Sequence, residues 1–286
     1  MDIKSFKTEF DPILKKTLDA RIDEYKNMTR DSFLRDIIAY PRELLMAGGK
    51  RIRPYMAYLM FEEGGSKTTK ELMEFLVGIE IFHMFALIHD DIVNRSHERH
   101  GILTMHKYIV SALKKEKRQG EHGQVAGGLA MLSGDLLYSW AGDIILNNTH
   151  FDKKDMHRVR SVYTNMVAQV LLGEMLDVDM TTRRQVDLKL INEKMFLKTA
   201  KYTFVSPMQL GVALAGGSKK REDFCEEFGS ALGLLFRFKT IYLILLKAKR
   251  CLKNRCLTIS ARMCIRYFLG TFLNMAQWHK SAHWMA

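Results

Sequence analysis

Two adjacent carboxylates, Asp90 and Asp91, close an apolar, helix-periodic run, and Arg95, His97, Arg99 and His100 follow within nine residues. Asn94 stands four residues after Asp90 and shares its face on a helix. Oxygen-bearing side chains on one helical turn can share a hard divalent cation such as magnesium. Cations beside them can hold phosphate oxygens. A solvated helix end would carry the same residues, so the pair needs a context. His83 lies seven residues before Asp90, two turns up the same side, as a core histidine or a ligand. A second basic group follows two glycines in Gly48-Gly49-Lys50-Arg51-Ile52-Arg53-Pro54. If a helix starts there, Lys50 and Arg53 share a face and suit a diphosphate, Lys as a point charge and Arg as a fork. A basic surface loop is the plain alternative. Further on, Glu174 and Asp177 stand three apart and could orient a cation-bound water or pair with a lysine.

These residues need helices to position them. Apolar residues recur at helical spacing between short Gly breaks, only 4 Pro occur, and no sustained strand alternation is present, so the chain reads as all-α. Residues 2–46 give two helices, the second capped by Asp31 and ended by Gly48-Gly49. Residues 54–62 give a third, and 67–89 the helix that delivers Asp90 and Asp91. The polar stretch 114–123 reads as a loop or lid, followed by a helix over 124–147. Asp152 or Asp155 caps the next helix, predicted to stop at Gly173. A helix starting near Asp187 is expected to end in Lys198-Thr199-Ala200-Lys201, followed by helices over 204–215 and 219–236.

The chain has 286 residues, 47% of them hydrophobic, enough for one large core. Four scattered Cys suggest neither a zinc site nor a disulfide frame, and the charged N-terminus shows no signal segment. A cytoplasmic protein without stable membrane insertion is the expectation. The net charge of +12 invites a nucleic-acid partner, but its distribution opposes one. Residues 237–286 hold ten Lys/Arg and no acid, which leaves 34 Lys/Arg against 32 Asp/Glu in the rest.

GGKRIRP, then HDD with its spacing to ERHG and TMH, then GDLL, GEMLD and KTAKYTF, in this order, resemble the trans-isoprenyl diphosphate synthases, the polyprenyl synthetase family. The likeness covers roughly residues 40 to 236. It implies an all-α isoprenoid-synthase bundle around a deep central cavity, usually a homodimer. It also implies magnesium-dependent head-to-tail condensation of isopentenyl diphosphate with an allylic diphosphate (dimethylallyl, geranyl or farnesyl). Under the resemblance, Lys50, Arg53 and His83 match positions that hold isopentenyl diphosphate. Asp90 and Asp91 open the first aspartate-rich motif, whose magnesium ions grip the allylic diphosphate. Arg99, Lys198 and Thr199 match contacts to that diphosphate. Catalysis would rest on Asp90, Asp91, Arg99 and Lys198 without a nucleophilic side chain. Phe85 and Ala86, five and four residues before Asp90, occupy the positions that gate product length and resemble C20-forming enzymes.

The departures are specific. Asn94 stands where a third Asp closes the first motif, and His100 replaces the second Arg of Arg-Arg-Gly. Thr240, Ile241 and Ile244 occupy the acidic positions of the second aspartate-rich motif. A shifted reading frame accounts for this. Synonymous codons for Phe-Arg-Phe-Lys-Thr-Ile-Tyr-Leu-Ile-Leu exist that, read one base earlier, encode Phe-Gln-Ile-Gln-Asp-Asp-Leu-Phe-Asp-Ile. The acids vanish from the composition at the same place. The expected organisation is therefore a synthase-like domain over 1–236 and an aberrant basic tail over 237–286. A catalytically weak partner subunit, and a basic tail that binds membrane surface or nucleic acid, are the alternatives.

Overall fold

A computed structural model describes residues 1–251, and for 237–251 the helical backbone alone. The expectations placed on 252–286 lie outside the described residues. The chain runs α1 (Ile3–Lys26), α2 (Ser32–Met46), α3 (Ile52–Glu62), α4 (Lys70–Val93), strands β1 (Glu98–Arg99) and β2 (Ile102–Leu103), α5 (Met105–Lys115), α6 (His122–Leu146), α7 (Lys153–Met180), α8 (Leu188–Met195), a π-helix (Phe196–Val205), α9 (Ser206–Leu214) and α10 (Lys219–Cys251). The all-α reading holds, with one two-stranded ribbon as its exception among the described residues.

Helix α1 shows how the bundle is specified. Asp2 caps it by accepting from the amides of Lys4 and Ser5, both at 2.8 Å. Phe6, Phe10, Leu14, Leu18 and Ile22 recur every four residues and are buried in one stripe. Helix α4 is apolar nearly all round because it is the hub, packing on α6, α1, α3, α5 and α2. Thr69 starts it by accepting from the Leu72 amide at 3.2 Å, and its last turn carries Asp90 and Asp91. Both α4 and α6 are long and apolar enough to cross a membrane, but most of α4 is buried inside the bundle.

Several boundaries differ from those expected. Helix α7 does not stop at Gly173 but continues to Met180. A glycine inside a helix costs about 1 kcal/mol against Ala. Here it is tolerated because the π-helix crosses close by: a Cβ on Gly173 would lie 2.6 Å from the Lys198 backbone nitrogen. Nor does α8 end at Lys201; it widens into the π-helix and continues as α9. Helix α10, expected to end at 236, continues to Cys251. Loop 116–121 is shorter than the expected lid.

Arg51 supplies the least anticipated structural element. It is 3% exposed, with a left-handed φ of 52°. Its guanidinium donates to Glu80 at 2.9 Å, Asp11 at 2.8 Å and the carbonyls of Gly48 and Leu45 at 3.1 and 2.8 Å. A Cβ on Gly49 would lie 2.5 Å from Arg51 Nη1, and Gly49 itself has φ of 127°, so only glycine fits. Because Arg51 turns the chain before α3 begins, Lys50 lies outside the helix and does not share a helical face with Arg53. Glu80→Ala leaves a buried guanidinium without its buried carboxylate. We expect a loss of about 3–5 kcal/mol, read by urea unfolding; a loss below about 1 kcal/mol would show the pair to be incidental.

Candidate active site

Three segments converge on the C-terminal turn of α4. The first is the hairpin β1–β2. Its two connecting residues, His100 and Gly101, have φ of 53° and 84°, the backbone of a tight two-residue hairpin. Tyr40 Oη anchors it by donating to the Leu103 carbonyl at 2.8 Å. The turn packs so close to the glycine loop that a Cβ on Gly48 would lie 2.8 Å from the His100 ring. Arg99 is thereby aimed at Asp91, donating from Nε and Nη2 at 2.8 and 2.7 Å, with Asp90 3.7 Å away. This two-pronged, charge-assisted contact is the strong form of the interaction. Asp91 is 2% exposed, which a carboxylate tolerates only with such a partner.

The second segment is the π-helix, which brings Lys198 across to the acids. Lys198 Nζ donates to Asp90 Oδ1 at 2.9 Å and Asp177 Oδ2 at 2.7 Å, and lies 2.7 Å from Glu174 Oε2. Lys194, one turn earlier, donates to the other oxygen of Asp177 at 2.9 Å. Burial works against the Lys198 charge, but Asp90 and Asp177 outweigh it and hold its pKa above the usual lysine range. Burial pushes the Glu174 carboxyl up despite Lys198. Asp177 is burdened by burial too, yet Lys198 and Lys194 hold it below the usual range. Of the two roles open to Glu174 and Asp177, pairing with a lysine is the one seen. Thr199 is buried beside Lys198.

The third segment is the start of α3 with the middle of α4. Arg53 lies over the Tyr202 ring, 4.2 Å from its centroid, and donates to Thr203 Oγ1 at 2.9 Å. His83 Nδ1 is 2.9 Å from Tyr202 Oη. Burial, then the positive charge of Arg53 and Arg99, lowers the His83 pKa well below its usual value. Lys50 is exposed nearby on the glycine loop. Below the acids, Phe85 is buried against His89 and Tyr138, with ring centroids 4.6 and 5.2 Å apart. Phe82, Tyr163 and Tyr202 extend this aromatic floor. Ala86 is half-buried beside it.

Magnesium is held by one or two carboxylates together with substrate phosphates rather than by a full protein cage. Among the described residues no three acidic, His or Cys side chains form such a cage. The oxygens present suit the shared mode. Among the described residues, Asp90 Oδ2 has only the 3.7 Å ion pair with Arg99, and Glu174 Oε1 is buried with no hydrogen-bond partner. Asp91 has both oxygens on Arg99, and Asn94 is exposed at the C-cap of α4. Tyr202, Thr203 and Lys194 are site residues that the sequence does not mark out. Their only signal is the dense run of cations and aromatics in KTAKYTF, and the ordinary helix expected there gives them different directions.

A sequence model described as polyprenyl synthetase matches residues 35–277. A geranylgeranyl diphosphate synthase of Methanosarcina mazei is 30% identical over 220 residues, 77% of this chain and 61% of that protein. A short chain isoprenyl diphosphate synthase of Methanothermobacter thermautotrophicus is 26% identical, over 81% of this chain and 65% of that one. The chain thus spans less than two thirds of the length of these curated relatives. Among solved structures, geranylgeranyl pyrophosphate synthase from Corynebacterium glutamicum, complexed with isoprenyl diphosphate and magnesium, superposes with a TM-score of 0.74. It is 26% identical, over 83% of this chain and 67% of that one.

Proposed function

Because the chain belongs to the polyprenyl synthetase family, we propose that it condenses isopentenyl diphosphate with an allylic diphosphate to give a longer polyprenyl diphosphate of about C15–C20. The observation that carries this reading is the meeting of Lys198 with Asp90, beside Arg99 on Asp91, at one end of the aromatic floor. Loss of diphosphate from an allylic substrate builds negative charge on the leaving group and positive charge on the carbon chain. Arg99 and Lys198 are preset donors for the first of these. The apolar and aromatic side chains of α4 and α6 receive the second and keep water away. Magnesium, when bound through Asp90 and Glu174, would neutralise the diphosphate charge. Arg53, His83 and Lys50 hold the diphosphate of the other substrate, whose alkene attacks the allylic carbon. The proton then leaves to the released diphosphate.

The partner-subunit alternative finds less support, since these relatives are themselves named synthases. The deciding assay is magnesium-dependent turnover of farnesyl diphosphate with labelled isopentenyl diphosphate. We expect C20 product, and longer products from Phe85→Ala, which opens the floor under the growing chain; no turnover at any enzyme concentration would sink the reading. We propose a homodimer as well, supported by apolar side chains left exposed on α6 (Val125, Met131, Leu132). Light scattering on the purified chain checks it, and a monomer at micromolar concentration would exclude it.

A further inference from the structure

We propose that Tyr202 is the positioning residue of the isopentenyl diphosphate half of the site: its hydroxyl donates to His83 Nδ1 and its ring carries the Arg53 guanidinium, so that His83 offers Nε2–H and Arg53 offers Nε–H to one diphosphate. This rests on the reading that Arg53 and His83 hold that substrate. Two contacts converge on this one side chain, and a third falls on the residue after it. Tyr202 Oη lies 2.9 Å from His83 Nδ1, Arg53 Cζ sits 4.2 Å above the ring, and the next residue, Thr203, accepts from Arg53 at 2.9 Å. Tyr202 itself is 5% exposed and packs edge-on against Phe82, 5.8 Å between centroids.

The direction of the His83–Tyr202 bond follows from proton accounting. Burial disfavours imidazolium at His83, and burial likewise raises the phenol pKa of Tyr202, so both groups are neutral near pH 7. A neutral imidazole carries one N–H and leaves the other nitrogen as an acceptor. If His83 Nδ1–H donated to the phenol oxygen, the buried phenol proton would have no other acceptor among the described residues, an arrangement that leaves a donor unsatisfied. With the phenol as donor, the proton of the imidazole sits on Nε2, a donor suited to an anion. Arg53 Nε is buried with no hydrogen-bond partner among the described residues, a second donor held by the same platform. The cation–aromatic contact fixes the plane of the guanidinium, so the direction of that donor is set before any ligand arrives.

The test uses the full chain, labelled with 15N-histidine and assigned with His83→Gln, together with calorimetric titration of isopentenyl diphosphate and inorganic diphosphate. Wild-type His83 is expected as the neutral Nε2–H tautomer at pH 7. Tyr202→Phe keeps the ring and removes only the hydroxyl. It should produce a tautomer mixture and weaken isopentenyl diphosphate binding about tenfold, leaving the affinity for the allylic diphosphate unchanged. Tyr202→Leu also removes the platform and should weaken binding further. A thermal melt checks that each variant is folded. An Nδ1–H or charged His83 in the wild type, or a Tyr202→Phe protein that keeps both tautomer and affinity, overturns the proposal. A wild type that shows the Nε2–H tautomer but binds neither diphosphate retires the substrate assignment while leaving the Tyr202–His83 bond in place.

Discussion

Under the proposed function, replacing Thr240, Ile241 and Ile244 by aspartate is expected to raise magnesium-dependent turnover on the order of 10²–10³-fold. The gain follows from the register of α10. Gly229 packs on Val205, Gly233 on Ala200, and the Phe236 ring lies 5.6 Å from that of Phe204. Positions 229, 233 and 236 form one helical stripe against the π-helix, and 240 and 244 follow at helical spacing along the same backbone, with 241 one residue on. Three carboxylates on that stripe would add a second set of oxygen ligands to the set around Asp90. The present residues offer no carboxylate at those positions, so the chain as it stands is expected to turn over slowly. The triple variant and its parent are compared in single-turnover product formation at saturating magnesium. A variant no faster than its parent would mean that the stripe does not reach the reacting diphosphate. The gene, read one base earlier across the Phe236 codon, should encode Asp-Asp and a third Asp three positions on. If no neighbouring frame does so, residues 237–286 are the native continuation, and the triple variant becomes a graft rather than a repair.

Removing Lys198 has the largest expected cost. Its ammonium meets Asp90, Glu174 and Asp177 within 2.9 Å, so Lys198→Ala takes the shared cation from three carboxylates as well as the donor proposed for the leaving diphosphate. We expect kcat/KM to fall on the order of 10²–10³-fold, the usual cost of one preset donor to developing negative charge. Stability should fall at pH 7, because Glu174 is buried and then faces only like charge on Asp90 and Asp177. The sign with pH is fixed by the direction of the Glu174 shift. A carboxyl whose pKa is raised on folding takes up protons on folding, so the deficit of the variant should shrink as the pH drops from 7 toward 5. Thermal melts of both proteins at the two pH values read this. A variant that keeps its activity, or a deficit that grows in acid, would place Lys198 outside the machinery.

The parts of the site that are close along the chain or carried by compact motifs are legible in the sequence itself. Asp91 and Arg99 are eight residues apart and pair through a hairpin whose turn sequence, His100-Gly101, is local. The convergence of Lys198 on Asp90, across 108 residues, follows only from the family resemblance, because no periodicity encodes which distant helix faces which. Arg51 reads in the sequence as one more cation of a surface-type run. Its partners Asp11 and Glu80 lie on two other helices, and a buried ion pair of that reach leaves no mark on local composition. Tyr202 is hidden for a different reason. Its neighbours follow from a backbone widened beyond the α-helical hydrogen-bond pattern, and the residues of KTAKYTF do not announce that widening. Gly173 misleads in the opposite way, as a helix breaker that is in fact a point of contact with Lys198.

The π-helix between Phe196 and Val205 acts as a phase adjuster between two rigid rotors. On one side α8 is locked by Lys194 on Asp177; on the other α9 is locked where Gly211 touches the Ala57 backbone. Each extra residue held in the wide turn changes the angular setting of one rotor against the other by about 100°. Deleting a single residue there would let the backbone relax to an ordinary helix and keep either lock, but not both. Lys198 and Tyr202 ride inside the adjuster, so the angle between the acid-bearing half of the site and the Arg53–His83 half is fixed by a count of residues rather than by the strength of any one bond.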